Sequence, residues 1–130
     1  MHSNMKELVF VALGGAFGSL GRYGIGMGVS RVAGSGWPWG TLVANVLGCL
    51  IAGFFVEMTL STEIVSKEIK IGIAVGFLGA LTTFSTFGHE TFRLALDGHW
   101  GASALNVAAN LGIGMISVLL GFWAARTAFG

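Results

Sequence analysis

Gly76-Phe77-Leu78-Gly79-Ala80-Leu81-Thr82-Thr83-Phe84-Ser85-Thr86-Phe87 is the stretch on which the fold turns. It lies inside the uncharged run Ile71 to Gly88, close to the roughly 20 apolar residues a helix needs to cross a bilayer. Yet it sets the hydroxyls of Thr82, Thr83, Ser85 and Thr86 and the rings of Phe84 and Phe87 where lipid favours plain aliphatic side chains. Buried hydroxyls need partners. Gly79 followed by Thr82 and Thr83 is a place for a membrane helix to break. Non-helical backbone is tolerated at that depth only where protein or a water cavity covers it. Carbonyls freed by such a break suit a cation such as Na⁺. The alternative is an unbroken helix whose Ser and Thr side chains bond back to the carbonyl four residues earlier.

Three further apolar stretches surround this one. Leu8 to Ser30 is interrupted by Arg22, Trp39 to Val56 lies between Pro38 and Glu57, and Trp100 to Ala125 is the last. The third extends to about Leu96. The pattern predicts an all-α membrane protein, a single four-helix transmembrane domain over residues 1–130 with spans near 8–30, 39–57, 71–96 and 100–125. Composition agrees. Of 130 residues, 54% are hydrophobic and only 10% charged, where soluble domains carry about 25% charged residues. A small soluble domain has too much exterior to hide so much apolar surface. Lys6 followed by Leu8 to Phe17 has the outline of a signal peptide, but the apolar run continues past any cleavage point, so it reads as a retained first helix. A net charge of +1 gives no footprint for nucleic acid. The single Cys49 excludes an internal disulfide framework and reads as core packing.

With four spans, both termini and the middle loop share a side. That side carries Lys6, Lys67, Lys70 and Arg126; the other carries Arg31 and Arg93, with Arg22 in the membrane nearer that end. So weak a positive-inside bias permits insertion both ways up, and dual topology is the expectation.

The polar residues within the spans carry the chemistry. Phe84 and Phe87, three apart, share a helix face; they are either packing or a pair of electropositive ring edges turned to an anion. Glu90 is either an intramembrane acid with a function or a headgroup-level residue. Asn45, on a face with Thr41 and Gly48, offers two donors suited to an anion or an interhelical bond. Ser103, Asn106, Asn110, Gly114 and Ser117 form one polar stripe, fit to line a wet path or to join helices. Arg22 must find water, a carboxylate or carbonyls. Gly14 with Gly18, and Gly72 with Gly76, are small-xxx-small patterns for close helix contact. His2, His89 and His99 are scattered, and no nucleophile has a base beside it, so an enzyme is not expected.

Gly14-Gly15-Ala16-Phe17-Gly18 with Arg22-Tyr23, Gly40-Thr41-Leu42 with Asn45 and Gly48, and Gly76-Phe77-Leu78-Gly79 with Thr82-Thr83-Phe84-Ser85-Thr86-Phe87 and Glu90 resemble, in order and spacing, the Fluc (CrcB) fluoride channels. The resemblance covers nearly the whole chain. It implies a fluoride-selective passive channel that exports fluoride from the cytoplasm, multi-pass in the bacterial plasma (inner) membrane. It further implies an antiparallel, dual-topology homodimer with two pores along its interface and a structural Na⁺ at its centre. The Na⁺ would be held by backbone carbonyls of Gly79 and Thr82. Pore positions carried across are Asn45, Phe84, Phe87, Ser85, Thr86 and Glu90, with Asn106 and Asn110 on the fourth helix and Arg22 at a vestibule or interface. Ala80 replaces a glycine common in the family, and His89 a small residue. One alternative is a transporter of the small multidrug-resistance type, also a dual-topology dimer. That class resembles a design with an essential acid in the first span, where this chain has Arg22 and, at its start, Glu7. A non-conducting membrane scaffold is another.

Overall fold

The computed structural model describes residues 2–130 and is all-helical, with no strand among them. Helix α1 runs His2–Ala33 and α2 Trp39–Ser61. A composite third stretch follows: α3 Lys67–Ile71, a π-helical segment Gly72–Leu78, α4 Gly79–Leu81 and α5 Phe84–Leu96. Helix α6, Trp100–Phe129, ends the chain. Four stretches are long and apolar enough to cross a membrane: Asn4–Ala33, Trp39–Ser61, Lys67–Leu96 and Trp100–Phe129. The chain is a multi-pass membrane protein.

Local chemistry sets the ends. Gly34 and Gly98 take φ of +76° and +82° after α1 and α5, a left-handed turn that costs glycine nothing. Pro38 precedes α2, where its missing N–H is not needed. Ser66 caps α3 by accepting from Ile69 N. Helix α2 continues past Glu57, whose buried carboxylate accepts from Ser61 Oγ (3.0 Å) instead of ending the helix. Trp37 Nε1 donates to Ala102 O (3.3 Å), tying the α1–α2 connection to the start of α6.

Two parallel helix pairs make the bundle, each joined through glycine. Helix α1 lies on the third stretch, and the two small-residue patterns meet each other there. A Cβ at Gly14 would strike Gly72 O, and one at Gly18 would strike Phe77 O. From the other side, a Cβ at Gly76 would lie 2.6 Å from Val11 O. Helix α2 lies on α6 in the same manner, Gly53 against Val118 O and Gly121 against Leu50 O. Lipid supplies no hydrophobic drive between helices, so close backbone approach and polar contacts must hold them. The interior follows that rule. Ser103, Asn106, Asn110, Gly114 and Ser117 are all buried in the bundle, and Asn106 is its largest fully buried side chain. Leu13, Phe17, Leu20, Leu119 and Leu120 face outward.

Candidate functional site

Between α4 and α5 the helix gives way. Thr82 (φ −87°, ψ 156°) and Thr83 (φ −150°, ψ 122°) are extended. Asn45 on α2 explains how this is tolerated. Its Oδ1 accepts from Thr83 N (2.9 Å), and its Nδ2 donates to Thr83 O (3.3 Å). The amide thus gives Thr83 N–H the acceptor that its lost helical bond leaves open, and adds a second bond to Thr83 O, whose other partner is the first turn of α5. Thr83 also caps α5, its Oγ1 accepting from Thr86 N (3.2 Å) and donating to Thr86 Oγ1 (3.0 Å). Thr82 bonds back through both its N–H (3.0 Å) and its hydroxyl (2.8 Å) to Leu78 O. Gly48 makes room for it: any Cβ there would collide with the Thr82 methyl.

These bonds have a consequence for the carbonyls. In a continuous α-helix, Thr83 N–H would reach Gly79 O and Thr86 N–H would reach Thr82 O. Both donors are engaged by side chains instead. Gly79 O and Thr82 O are therefore released from their helical donors. Both residues line one cavity, and such carbonyls are the oxygen donors that suit an alkali cation.

Two cavities flank the break, and Thr83 lines both. The first, 810 Å³, is bordered by Arg22, Tyr23, Trp39, Thr41, Thr86 and Glu90. Glu90 Oε1 accepts from Thr41 Oγ1 (2.8 Å). Its Oε2 is buried and, among the described residues, has no hydrogen-bond partner, so a residue bordering the first cavity carries an unmet acceptor. The second, 520 Å³, is bordered by Asn45, Gly79, Thr82, Phe84, Phe87 and Asn110. The Phe84 and Phe87 rings lie 5.6 Å apart and tilted by 57°. Phe87 is buried at 7% exposure whereas Phe84 stands 79% exposed at the cavity rim.

The fold therefore gathers Asn45, Asn110, Phe84, Phe87, Gly79 and Thr82 on one side of Thr83, and Arg22, Thr86 and Glu90 on the other. Ser85 is exposed and lines neither cavity. Of the two readings of Asn45, donors for an anion or an interhelical bond, the second is what the structure contains. Both its donors are already engaged, by Thr83 O and by Asn110 Oδ1 (2.9 Å). Sequence reasoning missed three parts: the Thr41–Glu90 bond, the position of Thr83 as the hub, and Thr91, which accepts from Asn106 Nδ2 (2.9 Å). A signal existed for Thr83, since a threonine three residues before Thr86 at a helix start is a capping pattern. None existed for the other two, which join different spans.

A family model described as CrcB-like protein, Camphor Resistance (CrcB), matches residues 9–122. The chain belongs to the CrcB family. Every residue of the two cavities named above lies within the matched range. The fluoride-specific ion channel FluC of Geobacter sulfurreducens is 41% identical over 122 residues, 94% of this CrcB chain and 98% of the relative. The protein of the same name from Geobacter metallireducens is 43% identical over the same shares. That of Shewanella sp. strain ANA-3 is 46% identical over 117 residues, 90% and 94% of the two chains.

Proposed function

We propose that this CrcB chain is a fluoride-selective passive channel. It works as an antiparallel homodimer with two pores along the interface and lets cytoplasmic fluoride leave across the bacterial plasma (inner) membrane. The observation that carries this reading is the extended Thr82–Thr83 segment, clamped by Asn45 between two cavities, in a chain whose relatives are named fluoride-specific channels.

Fluoride is small and tightly hydrated, so a selective path must replace its water and still release it. With the Asn45 amide engaged inside the subunit, much of that replacement falls to the ring edges of Phe84 and Phe87, whose hydrogens are electropositive. The hydroxyls of Ser85 and Thr86 add donors. Asn45 and Asn110 shape the wall of the second cavity, and Glu90 and Thr41 a wall of the first. Arg22 attracts anions into the first cavity. A second, inverted copy supplies the cover that Phe84, exposed beside the buried Phe87, lacks in a single chain. The weak bias of basic residues between the two ends of the bundle supports inverted insertion.

The released carbonyls of Gly79 and Thr82 fit a structural Na⁺ between the copies. Such an ion would supply a positive charge to offset the carbonyl dipoles of Gly79 and Thr82. The residues hold those oxygens in place through Asn45, which keeps Thr83 extended, and through Gly48, which lets Thr82 approach α2.

Liposomes bearing the purified protein are expected to release fluoride rapidly and retain chloride. Silent liposomes would favour a non-conducting scaffold. Phe84→Ile and Phe87→Ile should each slow fluoride release up to about tenfold while the dimer persists on size exclusion, since an aromatic contact is worth about 0.5–1.5 kcal/mol. Unchanged flux in both would move the pore elsewhere.

A further inference from the structure

A continuous series of side-chain hydrogen bonds runs from the middle of α5 to the break. Thr91 donates its hydroxyl to Phe87 O (2.7 Å), which leaves its oxygen to accept, and it accepts from Asn106 Nδ2 (2.9 Å). Asn106 Oδ1 is thereby turned toward Asn110, whose Nδ2 donates both to it and to Asn106 O (3.0 Å each). With both donors spent, Asn110 can offer Asn45 only an acceptor, and Asn45 Nδ2 donates to its Oδ1 (2.9 Å). Asn45 Oδ1 is then the end that meets Thr83 N–H (2.9 Å).

An amide's nitrogen and oxygen ends have nearly the same shape, so only its partners decide which way it points. In this series each orientation follows from the one before, and the first follows from a threonine hydroxyl. Asn106, at its centre, has no solvent exposure, so a wrongly turned amide finds no water to compensate it. Neither Thr91 nor Asn106 lines either cavity.

We propose that Thr91 and Asn106 are positioning residues. Acting through Asn110, they orient the Asn45 amide and so hold the Thr83 peptide, and with it the Thr82 carbonyl, in place. The consequence for conduction rests on the channel reading above; the consequence for Thr83 does not.

The test compares Thr91→Val, Thr91→Ser and Asn106→Leu with the unaltered dimer. Amide hydrogen exchange is read by NMR in lipid nanodiscs, and fluoride release is read from liposomes. Thr91→Val and Asn106→Leu are expected to speed exchange at Thr83 by about tenfold, the value of one hydrogen bond at its upper end. Amides in the middle of α2 stay unchanged, and fluoride release falls in the same two variants. Thr91→Ser keeps the hydroxyl and stays within about twofold of the unaltered protein in both readouts. Unchanged Thr83 exchange in a folded Thr91→Val protein, or faster exchange spread evenly over all helices, overturns the proposal. Should Asn106→Leu fail to fold, Thr91→Val, which leaves all the amides in place, decides alone. Should the unaltered protein release no fluoride, the channel reading falls and the exchange result still judges the relay.

Discussion

Asn45→Leu is expected to destabilise the folded chain by about 2–5 kcal/mol and to cut fluoride release more than tenfold. The substitution keeps much of the volume and removes every polar partner. Thr83 N–H, Thr83 O and Asn110 Oδ1 each lose their bond to the amide at once. Side-chain hydrogen bonds in membranes average only about 0.6 kcal/mol, because the unfolded helices find other partners. A group left orphaned in the interior costs more, about 1–3 kcal/mol. The orphaned groups here include a peptide that has already left its helix, so the larger figure governs at Thr83. Asn45→Asp separates volume from chemistry. It retains an acceptor for Thr83 N–H but sets carboxylate oxygens against Thr83 O and Asn110 Oδ1, so it should be no better than leucine. Thermal unfolding in detergent, followed by circular dichroism, reads the stability. A leucine variant that unfolds within about 0.5 kcal/mol of the unaltered protein would mean that the extended conformation of Thr83 does not depend on Asn45.

Gly53→Val and Gly121→Val should be the most damaging changes to the fold itself. The first side-chain carbon at Gly53 meets Val118 O, and that at Gly121 meets Leu50 O. Both obstacles are backbone, so no rotamer change relieves them. Overpacking of this kind costs about 1–3 kcal/mol in soluble cores. Here α2 and α6 must separate, and lipid gives no hydrophobic force to close them again. The Asn45–Asn110 bond spans the same helix pair, so separation also strips the clamp from Thr83. The expected result is loss of folded protein on extraction. Gly112→Ala on the same helix is the control: nothing lies within 4 Å of the added carbon. Alanine's better helix propensity makes that change neutral or stabilising by up to about 1 kcal/mol. Well-folded Gly53→Val protein would mean that the two helices do not pack through this crossing.

Much of the architecture was legible because a bilayer constrains sequence severely. The apolar runs follow from the cost of charge in hydrocarbon, and the four membrane-crossing helices extend them by a few polar residues at their ends. The stripe Ser103–Asn106–Asn110–Gly114–Ser117 was visible as a helical period, and its burial follows from the same rule. Gly14 with Gly18 and Gly72 with Gly76 announced close contact, though the pattern did not say that they would meet each other. Gly53 and Gly121 make an equally tight crossing, each meeting a backbone carbonyl of the other helix, and that pairing was not visible in the sequence. At the site, the hydroxyls and glycine of residues 79–86 left two readings open, a broken helix and an ordinary one with its hydroxyls bonded back. The use made of each polar group was hidden, because a donor's partner depends on which helix faces it. Asn45 read either as donors for an anion or as an interhelical bond, and only its neighbours show the bond, made on every side; Thr41 read as a neighbour of Asn45 and is the partner of Glu90.

The sequence by itself determined that this chain lives in lipid as four helices, and that its polar residues are few and set at helical spacings. Water is absent from the bilayer core, so every exception to apolar composition must be intended for an interior. Only the tertiary structure decided which exceptions meet. The peptide at Thr83 leaves its helix because α2 brings an amide to it, and that meeting depends on the depth at which glycine lets the helices approach.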